Sequence, residues 1–355
     1  MCDVAGVQVV AFLAWSGAAE GGRAGEGALR RPGDRGRRKK YLRRRHNKCA
    51  GEALEDKSHD GGACFQNETM ERPDISTITE HYIDVERMVG AKGVKLPKVA
   101  VRLLERLLHV PELNAGIYKN REYFGLDFVY KFLEGHDPQD LGVRVEVRGS
   151  GNIPTEGWPL VVGNHPLGGP DGLALMGAVG RVRKDIQFPV NDFLLYLPGL
   201  RELFIPIDKV NRSKALAGLE EAFAAENALL YFPAGACSRR TGGRVQDLDW
   251  KATFVKKAVK YRRDVVPVYT DARNRWRFYT IANLRKRLGL KFNFEMALLP
   301  GEMYAQRGKT FGITFGKPIA WQTFDDRHTP QEWAARVRAH VYRLADSPDA
   351  EFVDD

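Results

Sequence analysis

The chain has 355 residues, of which 43% are hydrophobic, and this is enough to bury the core of one large domain or two small ones. Its formal net charge of +10 indicates an anionic partner such as a nucleic acid, a membrane surface or an acidic protein. The four cysteines show no Cys-x-x-Cys spacing, which argues against a zinc site. The length of the chain argues against a disulfide framework, and a reducing cytoplasm is expected. No run of about 18 apolar residues occurs, so no membrane-spanning helix is expected.

Residues 1–74 are predicted to form a disordered basic tail. They are rich in Gly, Ala and Arg, and much of the excess charge lies between Arg23 and Lys48. Met70 is an alternative start of the chain, and the preceding residues would then not belong to the native protein. The tail also leaves open a nucleic-acid-binding protein, although no specific nucleic acid is expected as a partner.

Residues 75–142 are predicted to form a helical N-terminal portion. Within it, Lys95–Asn114 (KLPKVAVRLLERLLHVPELN) places Val and Leu at helical spacing, with Lys and Arg beside them. Two interpretations stay open. The segment is either a helix that packs its apolar face on the core, or an interfacial helix that lies on anionic lipid. The two agree if the helix lies at the edge of a membrane-facing cleft.

Residues 143–347 alternate between strand and helix patterns. The predicted strands, in chain order, are VRVEVRG, PLVVGN, IQFPV, LFIPID, ALLYFPAG, VVPVYTD and TFGITFGKPI. The predicted helices are DGLALMGAVGRV, SKALAGLEEAFAAEN with Ser213 as N-cap, WKATFVKKAVKYRRD, and TPQEWAARVRAHVYRLA with Thr329 as N-cap and Pro330 at its first position. This alternation predicts an α/β domain with a largely parallel central sheet flanked by helices.

Three predicted strand ends carry residues that suit chemistry, and ligands of open α/β sheets bind at such ends. The segments are Asn164–Asp171, Lys209–Arg212 and Ala234–Arg240. In the first, a neutral His165 is a candidate general base, and Asp171 can fix its tautomer if the Gly/Pro loop folds back. The alternative is a plain turn in which Asp171 caps the following helix.

Several common catalytic motifs are missing from the chain. No Gly-x-Ser-x-Gly elbow, Walker loop or His-Glu-x-x-His motif occurs. A His/Asp pair without an obvious protein nucleophile suits direct transfer, in which the base deprotonates a substrate hydroxyl that attacks an activated acyl group.

Four blocks, in this order, resemble those of the glycerolipid (lysophospholipid) acyltransferase superfamily: NHPLGGPD, LFIPID…NR, YFPAGACSRR and VVPVY. The resemblance covers roughly residues 143–320. It implies that His165 acts as base and Asp171 as its orienter. It also implies acyl transfer to a lipid hydroxyl at an anionic membrane surface, on the cytoplasmic side. No bound cofactor or metal is implied, and the co-substrate is acyl-acyl carrier protein or acyl-coenzyme A.

Two departures from the family pattern bear on the acceptor. Five residues separate His165 from Asp171 where the family usually has four, and Gly168–Gly169 is the natural place to absorb the extra one. The usual Phe-Pro-Glu-Gly-Thr-Arg-Ser block is FPAGACS here, so a strong phosphate-binding Arg is lost. Arg239 and Arg240 follow, displaced by two and three positions.

A glycerol phosphate acceptor therefore becomes less favoured. The block forms look like a bacterial branch often labelled hemolysins, which resembles O-acyltransferases of amino-acid lipids. Those enzymes acylate the 3-hydroxyl of an N-(3-hydroxyacyl) amino acid such as ornithine or glycine, whose carboxylate the displaced Arg pair could hold. The alternatives are a 1-acylglycerol-3-phosphate acyltransferase and a non-catalytic membrane-binding relative.

The candidate substrate-binding residues are Asn164, Gly168, Gly169, Lys209, Arg212, Phe232, Pro233, Gly235, Ser238, Arg239 and Arg240. Backbone N–H groups around Gly235 are candidates for holding the thioester oxyanion. Arg239 and Arg240 could instead form a solvated loop, and Arg212 could cap its neighbours. Cys237 is interpreted as a small residue in the place of the lost Arg rather than as a nucleophile.

Overall fold

The computed structural model describes residues 72–90, 95–191, 197–207, 212–290 and 293–354. The predicted basic tail lies outside these ranges except for its last three residues. Met70 and Lys209 lie outside them as well.

A seven-stranded sheet forms the centre of the molecule, in the order β1-β9-β8-β2-β5-β3-β4. The strands are β1 (Arg144–Arg148), β2 (Leu160–Gly163), β3 (Ile186–Asn191), β4 (Phe204–Ile207), β5 (Ala228–Tyr231), β8 (Val265–Asp271) and β9 (Thr310–Phe315). β8 pairs with β9 antiparallel, and the other pairings are parallel. The predicted α/β class with a largely parallel sheet is confirmed. A separate antiparallel hairpin joins β6 (Arg239–Thr241) to β7 (Arg244–Gln246).

The α-helices of the described residues are α1 (Val85–Gly90), α2 (Lys98–Leu107), α3 (Val110–Lys119), α4 (Gly125–Glu134), α5 (Pro170–Gly180), α6 (Arg212–Ala224), α7 (Thr253–Tyr261), α8 (Trp276–Arg287), α9 (Leu299–Tyr304) and α10 (Pro330–Arg343). Short 3₁₀ helices lie at Ile75–Thr77, Ser150–Asn152, Pro198–Leu203, Phe294–Leu298 and Trp321–Thr323. Within the described ranges, no helix is both long and apolar enough to cross a bilayer.

Both faces of the sheet are covered, which explains its apolar strands. Every residue of β2 and β5 is buried, as expected for strands in the middle of a parallel sheet. Every residue of α5 is also buried, and this helix packs with α4 in a core cluster on one face. On the other face α6, α7 and α10 pack in a second cluster that includes Trp250 and Trp333.

The segment Lys95–Asn114 forms parts of two helices rather than one. α2 ends at Leu107, and His109 adopts a left-handed conformation with φ 53° before α3 begins. Pro111 lies in the first turn of α3, where its missing N–H does no harm, whereas inside a continuous helix it would break a hydrogen bond. Among the apolar side chains of α2, Val101 and Leu104 are buried, whereas Val99 and Leu103 are exposed.

Two helix starts were predicted from capping residues, with opposite outcomes. Thr329 caps α10 through a capping box in which its side chain accepts from the Glu332 N–H and the Glu332 side chain accepts from the Thr329 N–H. The prediction for Ser213 is wrong, because α6 already includes Arg212 and Ser213 therefore lies inside the helix. The hairpin and helices α8 and α9 are not among the predicted elements, whereas α4 lies within residues 75–142, which are predicted to be helical without individual boundaries.

Candidate active site

The loops after β2, β5 and β8 meet because these three strands are parallel neighbours in the sheet. Asn164, at the start of the first loop, pairs with Thr270 at the end of β8. Its Oδ1 accepts from the Thr270 N–H at 2.7 Å and its Nδ2 donates to the Thr270 carbonyl at 2.9 Å. The polar atoms of Asn164 therefore fix the loop Asn164–Gly169, the candidate catalytic loop, to β8.

His165 and Asp171 form a buried pair. Nδ1 of His165 lies 2.8 Å from Oδ2 of Asp171, and the two residues are 3% and 0% exposed. The Asp171 carboxylate also accepts from the N–H groups of Leu167 and Gly169, each at 3.0 Å. Asp171 therefore reaches the ring despite the longer loop, and it also satisfies two amides of the loop that precedes α5.

The environment of Asp171 selects one tautomer of His165. Burial raises the pKa of the Asp171 carboxyl. His165 and the backbone N–H groups lower it by more than burial raises it, so the pKa lies below its ordinary value. A charged Asp171 accepts the hydrogen on Nδ1. In the neutral ring the lone pair is then on Nε2, which is the nitrogen that can take a proton from a substrate.

The placement of the extra loop residue at Gly168–Gly169 stays a prediction, but Gly168 has the features of a required glycine. Its φ of +91° favours glycine, and a Cβ atom there would lie 2.7 Å from Leu299 Cδ1. Gly169 has an extended φ of −175°, and a Cβ atom there would meet no atom within 4 Å. A positive φ and a close contact therefore both favour glycine at position 168, and neither applies at position 169.

The loop after β5 supports His165 from the other side. The ring of Phe232 stacks on the ring of His165, with centroids 4.1 Å apart. The Ser238 N–H donates to the His165 carbonyl at 2.7 Å, and Ser238 Oγ donates to Asp247 at 2.6 Å. Ser238 is 1% exposed, so its contacts are structural.

The oxyanion prediction needs a correction at Gly235 itself. Its N–H donates to the Phe232 carbonyl at 3.1 Å inside a turn, so this amide is already engaged. Pro233 is buried, and its carbonyl accepts from the Lys251 N–H. The amides of Ala236 and Cys237, which come next in the loop, stay candidates for the oxyanion site, whereas that of Ser238 is bonded to the His165 carbonyl.

The predicted Arg pair separates in the structure. Arg239 points inward, and its Nη2 lies 3.2 Å from the Glu295 carboxylate, while Arg240 is exposed on β6. Arg212 is the first residue of α6, the helix that follows the edge strand β4 in the chain, and the predicted Lys209 lies outside the described residues.

Cys237 fills a packed position next to the catalytic loop. It is 1% exposed, and a Cβ atom on Gly168 would lie 3.4 Å from its Cβ. Burial raises the pKa of the thiol, which disfavours the thiolate that a nucleophile would need. Its position supports the interpretation of Cys237 as a space-filling residue.

An apolar cavity of about 190 Å³ adjoins the catalytic loop. His165, Gly168 and Phe232 contribute to its wall, and so do Ile83 and Ile117 of the helical N-terminal portion. Among the described residues that line the cavity, His165 is the one with a titratable side chain, and the others are apolar or Gly. The cavity therefore suits a hydrocarbon chain and places it next to the candidate base.

The chain has clear relatives among known proteins. A family model described as Acyltransferase matches residues 86–351. The chain belongs to this acyltransferase family. Two lyso-glycine lipid O-acyltransferases, from Bacteroides thetaiotaomicron and Phocaeicola vulgatus, are each 42% identical to it over 269 residues. The match covers 74% of this chain and 97% and 95% of the two relatives.

A solved structure is also similar to this acyltransferase. It is the 1-acyl-sn-glycerophosphate (LPA) acyltransferase PlsC from Thermotoga maritima, at 19% identity and a TM-score of 0.42. The match covers 70% of this chain and 97% of that chain. The family model and the two curated relatives confirm the superfamily inferred from the four blocks, and they confirm that the chain is an enzyme.

Asp247 is a residue of this acyltransferase's site that the sequence did not indicate. Its carboxylate accepts from the His165 N–H, although 82 residues separate the two. A contact at this separation depends on the order of the strands. The predicted third loop ended at Arg240, and no motif points to the aspartate beyond the hairpin.

Proposed function

We propose that this acyltransferase transfers a fatty acyl group from a thioester to the hydroxyl of a lyso-amino-acid lipid, with His165 as general base. The observation that carries the proposal is the buried His165–Asp171 pair in the wall of an apolar cavity. Nε2 of His165 takes the proton of the acceptor hydroxyl, and the hydroxyl oxygen attacks the thioester carbonyl. The C–S bond then breaks, and the leaving thiolate takes the proton back from His165.

The apolar cavity is proposed to hold the acyl chain of the donor. Its wall is formed by β3, α5 and the helical N-terminal portion, with Phe188, Met176 and Leu113 among the lining residues. A chain in this cavity would begin beside His165, which is where the thioester carbonyl has to lie. The donor is a fatty acyl thioester, and parallel assays with acyl-acyl carrier protein and acyl-coenzyme A distinguish its carrier.

The buried cluster around Glu295 supports an acceptor with a carboxylate. Arg239 Nη2 and Arg285 Nε lie 3.2 and 2.9 Å from the two oxygens of Glu295, which is 0% exposed. Two guanidinium groups on one carboxylate leave a positive charge that Glu295 does not balance. Arg239 also donates to the carbonyl of Cys237, next to the catalytic loop. A lyso-glycine lipid would bring a carboxylate to this charge, in agreement with the substrate named for the two relatives.

The catalytic test uses two variants with purified protein and a labelled acyl thioester. His165→Ala should lower kcat by about 10²–10⁴-fold, because general base catalysis contributes that much. Asp171→Asn should also lower kcat strongly, because an amide stabilises neither the tautomer nor the protonated ring. Thermal unfolding shows whether each variant is folded. A folded His165→Ala protein with wild-type kcat would rule out the dyad.

The acceptor test compares lyso-glycine lipid, lyso-ornithine lipid and lysophosphatidic acid in one assay. We expect the first to be used best, and a preference for lysophosphatidic acid would instead favour a 1-acylglycerol-3-phosphate acyltransferase. Arg239→Gln should raise the KM for the acceptor, because it removes the unbalanced charge. Arg240→Gln is the matched control, since Arg240 is exposed on the hairpin and should leave KM unchanged.

The acyltransferase is further proposed to bind peripherally to the anionic inner face of the cell membrane. Large apolar side chains are exposed on two helices: Trp276, Leu284 and Leu288 on or next to α8 are 73%, 53% and 62% exposed, and Val99 and Leu103 on α2 are 76% and 69% exposed. Exposed cations accompany them at Lys95, Lys98, Arg102, Arg106, Lys286 and Arg287. Apolar side chains between cations are typical of surfaces that bind anionic lipid.

Both helices adjoin α9, which contributes Leu299, Pro300 and Met303 to the cavity wall. A Cβ atom on Gly301 of α9 would lie 2.9 Å from His109 Nε2, just after α2, and 3.7 Å from Arg277 Nη2 of α8. A membrane on this surface would therefore lie close to the cavity that receives the chain.

Sedimentation with vesicles tests the membrane surface. We expect binding to phosphatidylglycerol vesicles, weaker binding to phosphatidylcholine vesicles, and a loss of binding when salt screens the charges. Leu284→Glu combined with Leu103→Glu should abolish binding. Leu216→Glu on α6, where Leu216 is 57% exposed, is the control and should bind normally. Equal loss in the control would contradict the assignment of this surface.

A further inference from the structure

Asp247 joins three parts of the fold that are far apart in sequence. Its Oδ1 accepts from the His165 N–H at 3.1 Å and from Ser238 Oγ at 2.6 Å. Its Oδ2 accepts from Trp250 Nε1 at 2.9 Å. Asp247 is 3% exposed, so these hydrogen bonds are shielded from water. A buried carboxyl group is costly unless it is well hydrogen-bonded, and this one meets a donor on each oxygen.

The main chain of Asp247 is fixed independently by helix α10. Its N–H donates to the Tyr342 hydroxyl at 2.7 Å, and its carbonyl accepts from Arg338 Nη2 at 2.6 Å. The position of the Asp247 carboxylate is therefore set by α10, which packs in the second core cluster with Trp250 and Trp333, and not by the loop that carries His165.

As a consequence, the N–H and the carbonyl of His165 are both hydrogen-bonded. Its N–H is bonded to Asp247, and its carbonyl accepts from the Ser238 N–H at 2.7 Å. Ser238 in turn is bonded to the same carboxylate through Oγ. The backbone of the candidate base is thus fixed on one side by Asp247 and on the other by a loop that Asp247 also holds.

We propose that Asp247 is a positioning residue for catalysis, which fixes the main chain of His165 so that its ring stays between Asp171 and the cavity. This inference rests on the proposed role of His165 as the base. Asp171, in the first turn of α5, orients the ring through Nδ1, but the hydrogen bonds to the main chain of His165 in the Gly/Pro loop come from Asp247 and Ser238. Asp247 supplies the restraint from outside that loop. Errors of about 1 Å in the position of a catalytic group cost on the order of 10²-fold in rate, so such a restraint affects kcat.

Asp247→Asn tests the proposal with little change in volume. The amide keeps one acceptor oxygen and places an NH₂ group opposite a donor, either the His165 N–H or Trp250 Nε1. We expect kcat to fall about ten-fold or more, with KM for both substrates unchanged. Trp250→Phe is the matched control, because it removes one donor to Asp247 but keeps the bond to His165. It should be destabilised to a similar degree and should keep a near-normal kcat.

A spectroscopic readout separates positioning from general stability and from the proposed function. The proton on His165 Nδ1 should give a strongly downfield ¹H NMR signal because it is bonded to a buried carboxylate, and His165→Ala assigns that signal by removing it. Asp247→Asn should weaken or shift the signal, and Trp250→Phe should leave it in place. These changes are observed without turnover, so they test Asp247 even if His165→Ala shows that the proposed function is wrong.

Two outcomes would overturn the proposal. One is a folded Asp247→Asn protein with kcat within two-fold of wild type and an unchanged downfield signal. The other applies if Asp247→Asn does not fold, in which case Asp247→Glu takes its place. Glu keeps the acceptor oxygens but moves them by one methylene group, so a normal kcat and a normal signal in that variant would exclude positioning by Asp247.

Discussion

The ring of Phe232 lies against the ring of His165, with centroids 4.1 Å apart and planes inclined by 22°. Phe232 follows directly after β5, is 2% exposed, and forms part of the cavity wall. It therefore fixes the face of the imidazole, while Asp171 fixes its edge. The orientation of the base depends on an apolar contact as well as on a hydrogen bond.

Phe232→Leu should lower kcat by about ten-fold, because the smaller side chain leaves the imidazole free to tilt. The free energy of unfolding should fall by about 1 kcal/mol through the lost packing. Steady-state kinetics and urea unfolding measure the two effects. Phe254→Leu, in the other core cluster, should cost similar stability with no effect on kcat, and an equal loss of kcat there would show that the contact with His165 is unimportant.

Gly168→Ala should be far more damaging than Gly169→Ala. At Gly168 the positive φ costs about 1–2 kcal/mol for a non-glycine residue, and the new Cβ atom would also collide with Leu299. The loop must shift, which moves His165 relative to Asp171 and lowers kcat. Gly169 has a φ of −175°, outside the left-handed region, and a new Cβ atom there meets open space, so alanine should be tolerated. Parallel kinetics and melting curves for the two variants make the comparison, and equal effects would contradict the role given to Gly168.

His340 should make the protein less stable as the pH falls below about 6.5. In the described part of the chain neither of its ring nitrogens has a hydrogen-bond partner, and burial together with Arg343 lowers its pKa from 6.5 to about 4. The unfolded chain then binds a proton that the folded protein does not accept. The associated stability is complete above pH 6.5 and is lost as the pH falls to about 4, which amounts to at most about 3 kcal/mol.

Urea unfolding of wild type and His340→Leu at several pH values isolates this effect. The difference in free energy of unfolding between the two proteins should change between pH 7 and pH 4.5 in favour of the variant. A constant difference across that range would show that His340 does not titrate as expected.

Ile117→Phe should shift the acyl donor preference towards shorter chains. Ile117 lies on α3 and lines the cavity from the helical N-terminal portion, so a larger side chain reduces the space for the end of a chain. A difference of one methylene group is worth about 1–3 kcal/mol in an apolar pocket, so the relative kcat/KM of two chain lengths should change by roughly ten-fold. Ile153→Phe overpacks the core away from the cavity and serves as the control, in which the preference should stay unchanged.

The local patterns of the sequence predicted most of the sheet and the central residues of the site. The apolar runs of β2 and β5 and the capping residue Thr329 are signals that depend only on near neighbours in the chain. The same holds for the Gly/Pro loop that carries His165 and Asp171. The break at His109 is a local feature as well, because Pro111 disfavours one continuous helix across Lys95–Asn114.

By itself, the sequence determined the fold class, the loops at the strand ends, the family and the identity of the His/Asp pair, because these depend on hydrophobic period and on short motifs. Only the tertiary structure decided that Asp247 holds His165, that Arg239 turns inward to Glu295 while Arg240 points to solvent, and that an apolar cavity joins the catalytic loop to the N-terminal helices. These contacts join segments many tens of residues apart. They exist because β2 lies between β5 and β8 in the sheet, and a strand order of this kind is set by how the helices cover both faces rather than by any pattern within a single segment.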